Sequence, residues 1–165
     1  MNCTIRWAGA DTMSFIAESG SGHSFVMDGA PEGGGRNLGP RPMEVVLSGT
    51  AACTAYDVVL ILRKSGQAIT GCEVQTDSDR AQTDPKVFTR IHMHFKVRGH
   101  NVKPNLVQRA IGLSHEKYCS ATKMLGLTAD ISHSFEVLEV LEELGASQDA
   151  EGASSSAVKA GETGA

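Results

Sequence analysis

Two cysteines in contrasting settings are where this sequence is equipped to do chemistry. Cys53 lies inside GTAACTAYDVVLIL, residues 49–62, and Cys119 inside HEKYCSATK, residues 115–123. A free cysteine in an apolar helix behaves as a small hydrophobe, so packing alone accounts for Cys53 taken singly. Cys119 differs, because its neighbours are polar and partly basic and a place near a helix start favours the thiolate. One apolar and one electropositive helix-borne cysteine suit a nucleophile and the thiol that resolves it. Whether the two meet is a tertiary question. Cys3 and Cys72 fall on strands without polar helix-start surroundings, and packing is expected for both. The four cysteines are spread too widely for a zinc ribbon or a CxxC redox motif. In a reducing compartment they begin as thiols.

Other polar residues have simpler readings. His92 and His94 share one face of a strand and are candidates for either a metal site or a solvated face; Arg90, Lys96 and Arg98 around them repel a cation, which favours the solvated face. His115 reads as a helix-surface histidine and His133 as a sheet histidine. Tyr56 and Asp57, one turn past Cys53, either orient a neighbour or mark the less buried edge of the helix. The glycines of APEGGGRNLGPRP, residues 30–42, suggest a phosphate loop, but no Gly-Lys-Ser/Thr follows, and a surface or active-site loop is expected.

These groups must be held by a recognisable set of elements. Three short strand-like runs, 3–8, 13–18 and 23–28, are broken by Gly9, Gly20, Gly22 and Gly29 and form a meander. Residues 42–65 read as a helix, with Pro42 in the first turn, Glu44 favouring the start, and Arg63, Lys64 and Gly66 marking the end. It has almost no polar face, so it must be enclosed on most sides, and a partner subunit is expected to supply part of that cover. Residues 71–79 and 87–98 form a hairpin across Asp84 and Pro85. Strict alternation puts Val87, Thr89, Ile91, Met93, Phe95 and Val97 on its core face, with Phe88 and the charged residues on the other. A second helical region starts near Pro104, Ser114 is placed to cap a new turn before Cys119, Gly126 closes it, and 128–140 is a last strand. The order predicts an α+β fold, helices on one side of an antiparallel sheet. Residues 1–145 make one domain, and 146–165, lacking large apolar side chains, form a disordered tail.

A chain of 165 residues buries roughly two thirds of its unfolded surface, enough for a normal core. With 41% apolar but only 5% aromatic residues, that core must be built from Val, Leu, Ile, Ala and Met. The net charge of −4 argues against nonspecific nucleic-acid binding, which needs a dense basic surface. The apolar runs fall short of the roughly 18 residues of a membrane span, and no signal-like segment opens the chain. A soluble, cytosolic protein is expected.

PMEVVLSGTAACTAYDVVLIL, the strand ending FTRIHMHFKV, and AIGLSHEKYCSATKML followed by ISHSFEV together resemble the OsmC/Ohr family of thiol peroxidases, most closely its YhfA-like branch. The resemblance covers about residues 3–140. It implies an intertwined homodimer with packed central helices and an active site where the chains meet. Cys53 falls on the family's peroxidatic cysteine, Cys119 on its resolving cysteine, and Glu44 on the acidic residue that opens the central helix. It further implies reduction of organic hydroperoxides through a Cys53 sulfenic acid and a Cys53–Cys119 disulfide, with an external dithiol as reductant and no metal or organic cofactor. The family uses an arginine to hold the buried thiolate. This chain has none in its first hairpin loops; Arg36 and Arg41, in the loop before the helix, are the candidates, and Arg36 is carried over. The alternative is that the same scaffold binds an apolar small molecule or serves as a redox-responsive partner without turnover.

Overall fold

The structure is a computed structural model that describes residues 1–140. The expected tail, 146–165, lies outside the described residues, as does the end of the expected domain. The fold is α+β, with two three-stranded sheets and one long central helix.

Strands β1 (Cys3–Trp7), β2 (Phe15–Ser19) and β3 (Ser24–Met27) form the expected antiparallel meander. Its faces are largely open, with Ile5 and Trp7 about half exposed at 50% and 55%. Cys3 is exposed on β1 instead of packed, since this small sheet has no layer of its own to bury it. The loop that follows is organised by a buried carboxylate. Asp28 accepts N–H bonds from Gly29 (2.8 Å), Arg36 (3.0 Å) and Leu38 (3.0 Å), and those bonds, led by Leu38, hold its carboxyl below the usual range. Gly35 is needed here, because a Cβ on it would land on the Gly29 backbone.

Helix α1 (Pro42–Lys64) begins as its sequence dictates, with Pro42 at its first position and the Glu44 carboxylate accepting the Arg41 N–H at 2.9 Å. Within the chain it is enclosed along a single stripe, Thr50, Ala51, Thr54, Val58 and Leu62, set by the near-four-residue helical repeat. Val46, Tyr56 and Leu60 stay exposed, so the expectation of cover on most sides is unmet by one chain alone. By length and mean hydropathy, 1.8 over 18 residues, α1 is also long and apolar enough to cross a membrane, contrary to the reading of its contiguous runs. Ser48, Gly49, Thr50 and Thr54 interrupt those runs but weigh little on the mean. The helix lies against β4 (Ala68–Arg80), α2 (Pro104–Leu113) and α3 (Ser120–Leu125).

β4 pairs antiparallel with β5 (Phe88–His100), and Ile91, Met93, Phe95 and Val97 of β5 are buried in alternation as expected. Removing side chains of this size from water contributes about 1.5–3 kcal/mol apiece. The alternation fails at the start of β5: Phe88 is buried and Thr89 exposed. Asp79 and Arg80 on β4 face Arg90 and Phe88, so Thr89 is an extra residue that reverses the phase before it. A second difference is the pairing of β6 (Asp130–Glu139), which runs parallel to β5. The chain between them passes through both helices before returning, and such a crossover delivers a parallel strand.

Candidate active site

Three local structures converge on two sulfurs. The first is α1, which carries Cys53, Thr54 and Asp57 within little more than one turn. The second is a π-helical turn, Ser114–Tyr118, that continues α2 where a new capped turn was expected. Ser114 has helical backbone angles and caps nothing. Its buried hydroxyl instead donates to Asp57 Oδ2 at 2.8 Å, while the Cys119 N–H reaches back to the Ser114 carbonyl at 2.8 Å, the five-residue bond of a π turn. The third is α3, for which Cys119 is the extended residue immediately before the first turn.

Cys119 is therefore not on a polar surface, as its neighbours in sequence suggest, but only 2% exposed. Cys53 is half-buried. The two thiols are close enough to influence each other's ionisation, and they are shifted in opposite directions. Burial pushes Cys53 up, and its bond to Cys119 and the charge of Asp57 add to this against a lowering N–H bond from Ala121. Burial also pushes Cys119 up, but hydrogen bonds from Thr54, Thr122 and Cys53 outweigh it and bring the thiol below its ordinary value. The Thr54 hydroxyl lies 3.3 Å from Cys119 Sγ, whereas that of Thr122 closes on the Cys119 carbonyl at 2.9 Å. Of the two sulfurs, Cys119 is thus the one whose anion the site favours.

The other expected site residues are elsewhere within the chain. Glu44 sits at the exposed start of α1, bonded to Arg41. Arg36 is exposed in the Asp28 loop, its backbone tied to the carboxylate. The leading influences on Cys53 include no guanidinium. His92 and His94 form a ladder with Ser132, Ser134 and Glu136 of β6, at 2.8–2.9 Å for the serines and 3.4 Å for the glutamate. His115 lies in the π turn beside His133, ring centroids 6.0 Å apart. Cys72 is half-buried against the core, as expected. Thr54, Ser114 and Thr122 were not legible as site residues, because Ser and Thr carry no spacing signal of their own.

A cleft of about 410 Å³ opens between α1 and α2, walled by Leu60, Ile61, Leu106 and Leu113 with the charged Asp57, Lys64 and Arg109, and bounded by Tyr118, the residue before Cys119.

The Asp57 contact leads to a prediction. Ser114→Ala leaves a carboxylate without its donor and is expected to destabilise the protein by about 1–3 kcal/mol in denaturant titration. Asp57→Asn keeps an acceptor for Ser114 but removes the charge that raises Cys53. Cys53 should then alkylate with a lower pH midpoint than in the unmodified protein; an unchanged or higher midpoint would contradict the assignment.

Residues 33–134 match the family model described as OsmC-like protein. Protein YhfA of Escherichia coli strain K12 is 41% identical over 138 residues, covering 84% of this chain and 98% of that protein. A structural-genomics structure is 40% identical with a TM-score of 0.75, covering 85% of this chain and all of the other. The structure of an organic hydroperoxide resistance protein, OsmC, from Legionella pneumophila aligns with a TM-score of 0.60 at 16% identity, over 82% of this chain and 96% of the other, a likeness of fold.

Proposed function

The chain belongs to the OsmC-like family, and from that membership we propose that it is a two-cysteine thiol peroxidase acting on organic hydroperoxides. The observation that carries the reading is the approach of α1 to the Cys119 turn, where Thr54, the chain neighbour of Cys53, donates to Cys119 Sγ at 3.3 Å and each thiol shifts the other's ionisation across 66 positions of sequence. The substrate class follows the organic hydroperoxide resistance ascribed to the Legionella relative.

In this mechanism the half-buried Cys53, as thiolate, attacks one oxygen of the O–O bond. The bond breaks, the other oxygen leaves as an alcohol after taking a proton, and Cys53 becomes a sulfenic acid. The Cys119 thiolate attacks that sulfur, hydroxide leaves and is protonated to water, and a disulfide forms. An external dithiol restores both thiols and is itself oxidised. No step calls on a metal or organic cofactor. Free thiols and a dithiol supply suit a reducing, cytosolic setting.

Burial, Cys119 and Asp57 all raise the Cys53 thiol, so a cation must act on Cys53 for the first step. Because the chain alone places none among the leading influences, we assign this role to Arg36, held by Glu44 across a homodimer. The exposed Val46, Tyr56 and Leu60 flank of α1 and the open β1–β3 sheet favour such a second copy.

The cleft, with leucine and isoleucine walls beside Asp57, Lys64 and Arg109, favours a second reading, a small-molecule or redox-responsive protein without turnover. Cumene hydroperoxide separates the two. A peroxidase loses two thiols per chain and then consumes excess peroxide continuously once dithiothreitol is supplied. Absence of continuous consumption with dithiol present rejects the peroxidase.

A further inference from the structure

We infer that Thr54 is a catalytic residue of the reductive half-cycle, and that its hydroxyl makes Cys119 the leaving group, so that the incoming reductant bonds to Cys53. The inference rests on the two-thiol reading above, and three observations carry it. The Thr54 hydroxyl is 3.3 Å from Cys119 Sγ and 3.1 Å from the Thr50 carbonyl. One hydroxyl has one proton, so it serves the carbonyl when the sulfur is neutral, as in a disulfide, and turns to the sulfur when negative charge arrives. Thr54 is 2% exposed, which removes water as a substitute donor. The two sulfurs also differ in access: Cys119 is 2% exposed and Cys53 half-buried beside the cleft residue Asp57, so an external thiolate meets Cys53 first.

The step balances without a further reactant. One thiolate of the dithiol attacks Cys53 Sγ, forming a mixed disulfide as the Cys53–Cys119 bond breaks. Its electron pair departs on Cys119, and Thr54 turns its proton to that sulfur. The reductant's second thiol, deprotonated, then attacks its own mixed-disulfide sulfur. This releases Cys53 and leaves the reductant as a disulfide, two electrons poorer. Thiol–disulfide exchange is faster when the leaving thiolate is better stabilised. The asymmetry of the site thus fixes which sulfur is attacked, and the group that stabilises Cys119 at rest also stabilises it as it departs.

The test starts from full-length protein oxidised with diamide, so that it does not depend on peroxidase activity. Reduction by dithiothreitol is followed by acid quench and intact mass. Thr54→Val should slow reduction by about three- to tenfold, the size expected when a hydrogen bond to a charged group is lost and part of it is expressed in the transition state. Thr54→Ser should restore the rate. Thr50→Val, which makes the same change one turn away at a buried hydroxyl bonded to the Val46 carbonyl (2.8 Å), should reduce like the unmodified protein. In a Cys53→Ser background, Thr54→Val should raise the pH midpoint of Cys119 alkylation, a readout that a packing role would not move. Brief exposure of the oxidised protein to glutathione, quenched and mapped, should place the adduct on Cys53. An adduct mainly on Cys119, equal reduction rates for Thr54→Val and the unmodified protein, or failure of diamide to join the two sulfurs each overturns the inference. If the disulfide forms with diamide and reduces as described but hydroperoxide leaves the thiols untouched, the peroxidase reading alone falls.

Discussion

Cys53→Ser is expected to abolish hydroperoxide consumption, whereas Cys119→Ser is expected to react once and stop. The difference follows from the access and partners of the two sulfurs. Cys53 is half-buried, one helical turn before the cleft residue Asp57, while Cys119 is enclosed with Thr54 at 3.3 Å. A serine at 53 removes the more accessible sulfur of the pair and leaves the enclosed one. A serine at 119 leaves the reachable sulfur in place but removes its condensing partner, so the sulfenic acid persists and, with excess peroxide, proceeds to sulfinic acid. Intact mass after one equivalent of cumene hydroperoxide should show a gain of one oxygen in Cys119→Ser, trapped by a sulfenic-acid reagent, and no such gain at position 53 in Cys53→Ser. Sustained turnover by Cys53→Ser would remove Cys53 from the mechanism.

The second large effect is expected from mixing two inactive proteins. Glu44 and Cys53 lie nine positions apart on the single helix α1, which at about 100° and 1.5 Å per residue places them on opposite faces and roughly 13 Å apart along the axis. They cannot touch within one chain, and Glu44 is engaged with Arg41 at the exposed helix start. If Glu44 holds Arg36 beside the other chain's Cys53, Glu44→Ala and Cys53→Ser are each inactive as homodimers. In a heterodimer one of the two sites then draws Cys53 from one chain and Glu44 from the other, both intact. Subunit exchange should restore activity to half of the sites of each heterodimer. Recovery should follow heterodimer content by native mass spectrometry and disappear where dilution separates the chains. Folded parents and verified heterodimers with no recovery would place the cation within one chain or remove it from the mechanism.

Much of this architecture was legible in the chain itself. Pro42, Glu44 and the Arg63, Lys64 and Gly66 stop delimit α1 because capping and backbone preference act within a turn of the residues concerned. The alternation from Ile91 to Val97 predicts the buried face of β5 because side-chain direction in a strand follows position with a period of two. The same rule failed at Phe88, since a bulge at Thr89 is a property of the pairing and not of either strand alone. The parallel pairing of β6 likewise depended on where the crossover returned the chain. The contrast between the two cysteine settings, and the resemblance it supports, pointed to Cys53 and Cys119 as a pair, and the fold sets Thr54, next to Cys53, against Cys119.

Their individual characters were another matter. In sequence, Cys119 is flanked by polar and basic residues and Cys53 by apolar ones, which favours the anion at Cys119 and packing at Cys53. In the folded chain Cys119 is the more enclosed of the two and is nevertheless the one brought below its ordinary value, because Thr54, 65 positions away, donates to it. Asp57 reached Ser114 across 57 positions for the same reason: a π turn, which no local signal announced, brought that hydroxyl to α1. Local sequence determined where helices and strands begin, which faces they bury and which residue types can react, since those preferences act over a few bonds. Tertiary structure decided in which direction each thiol is shifted and which hydroxyl donates to Cys119, because ionisation depends on the donors and charges within a few ångströms in space, whatever their separation along the chain.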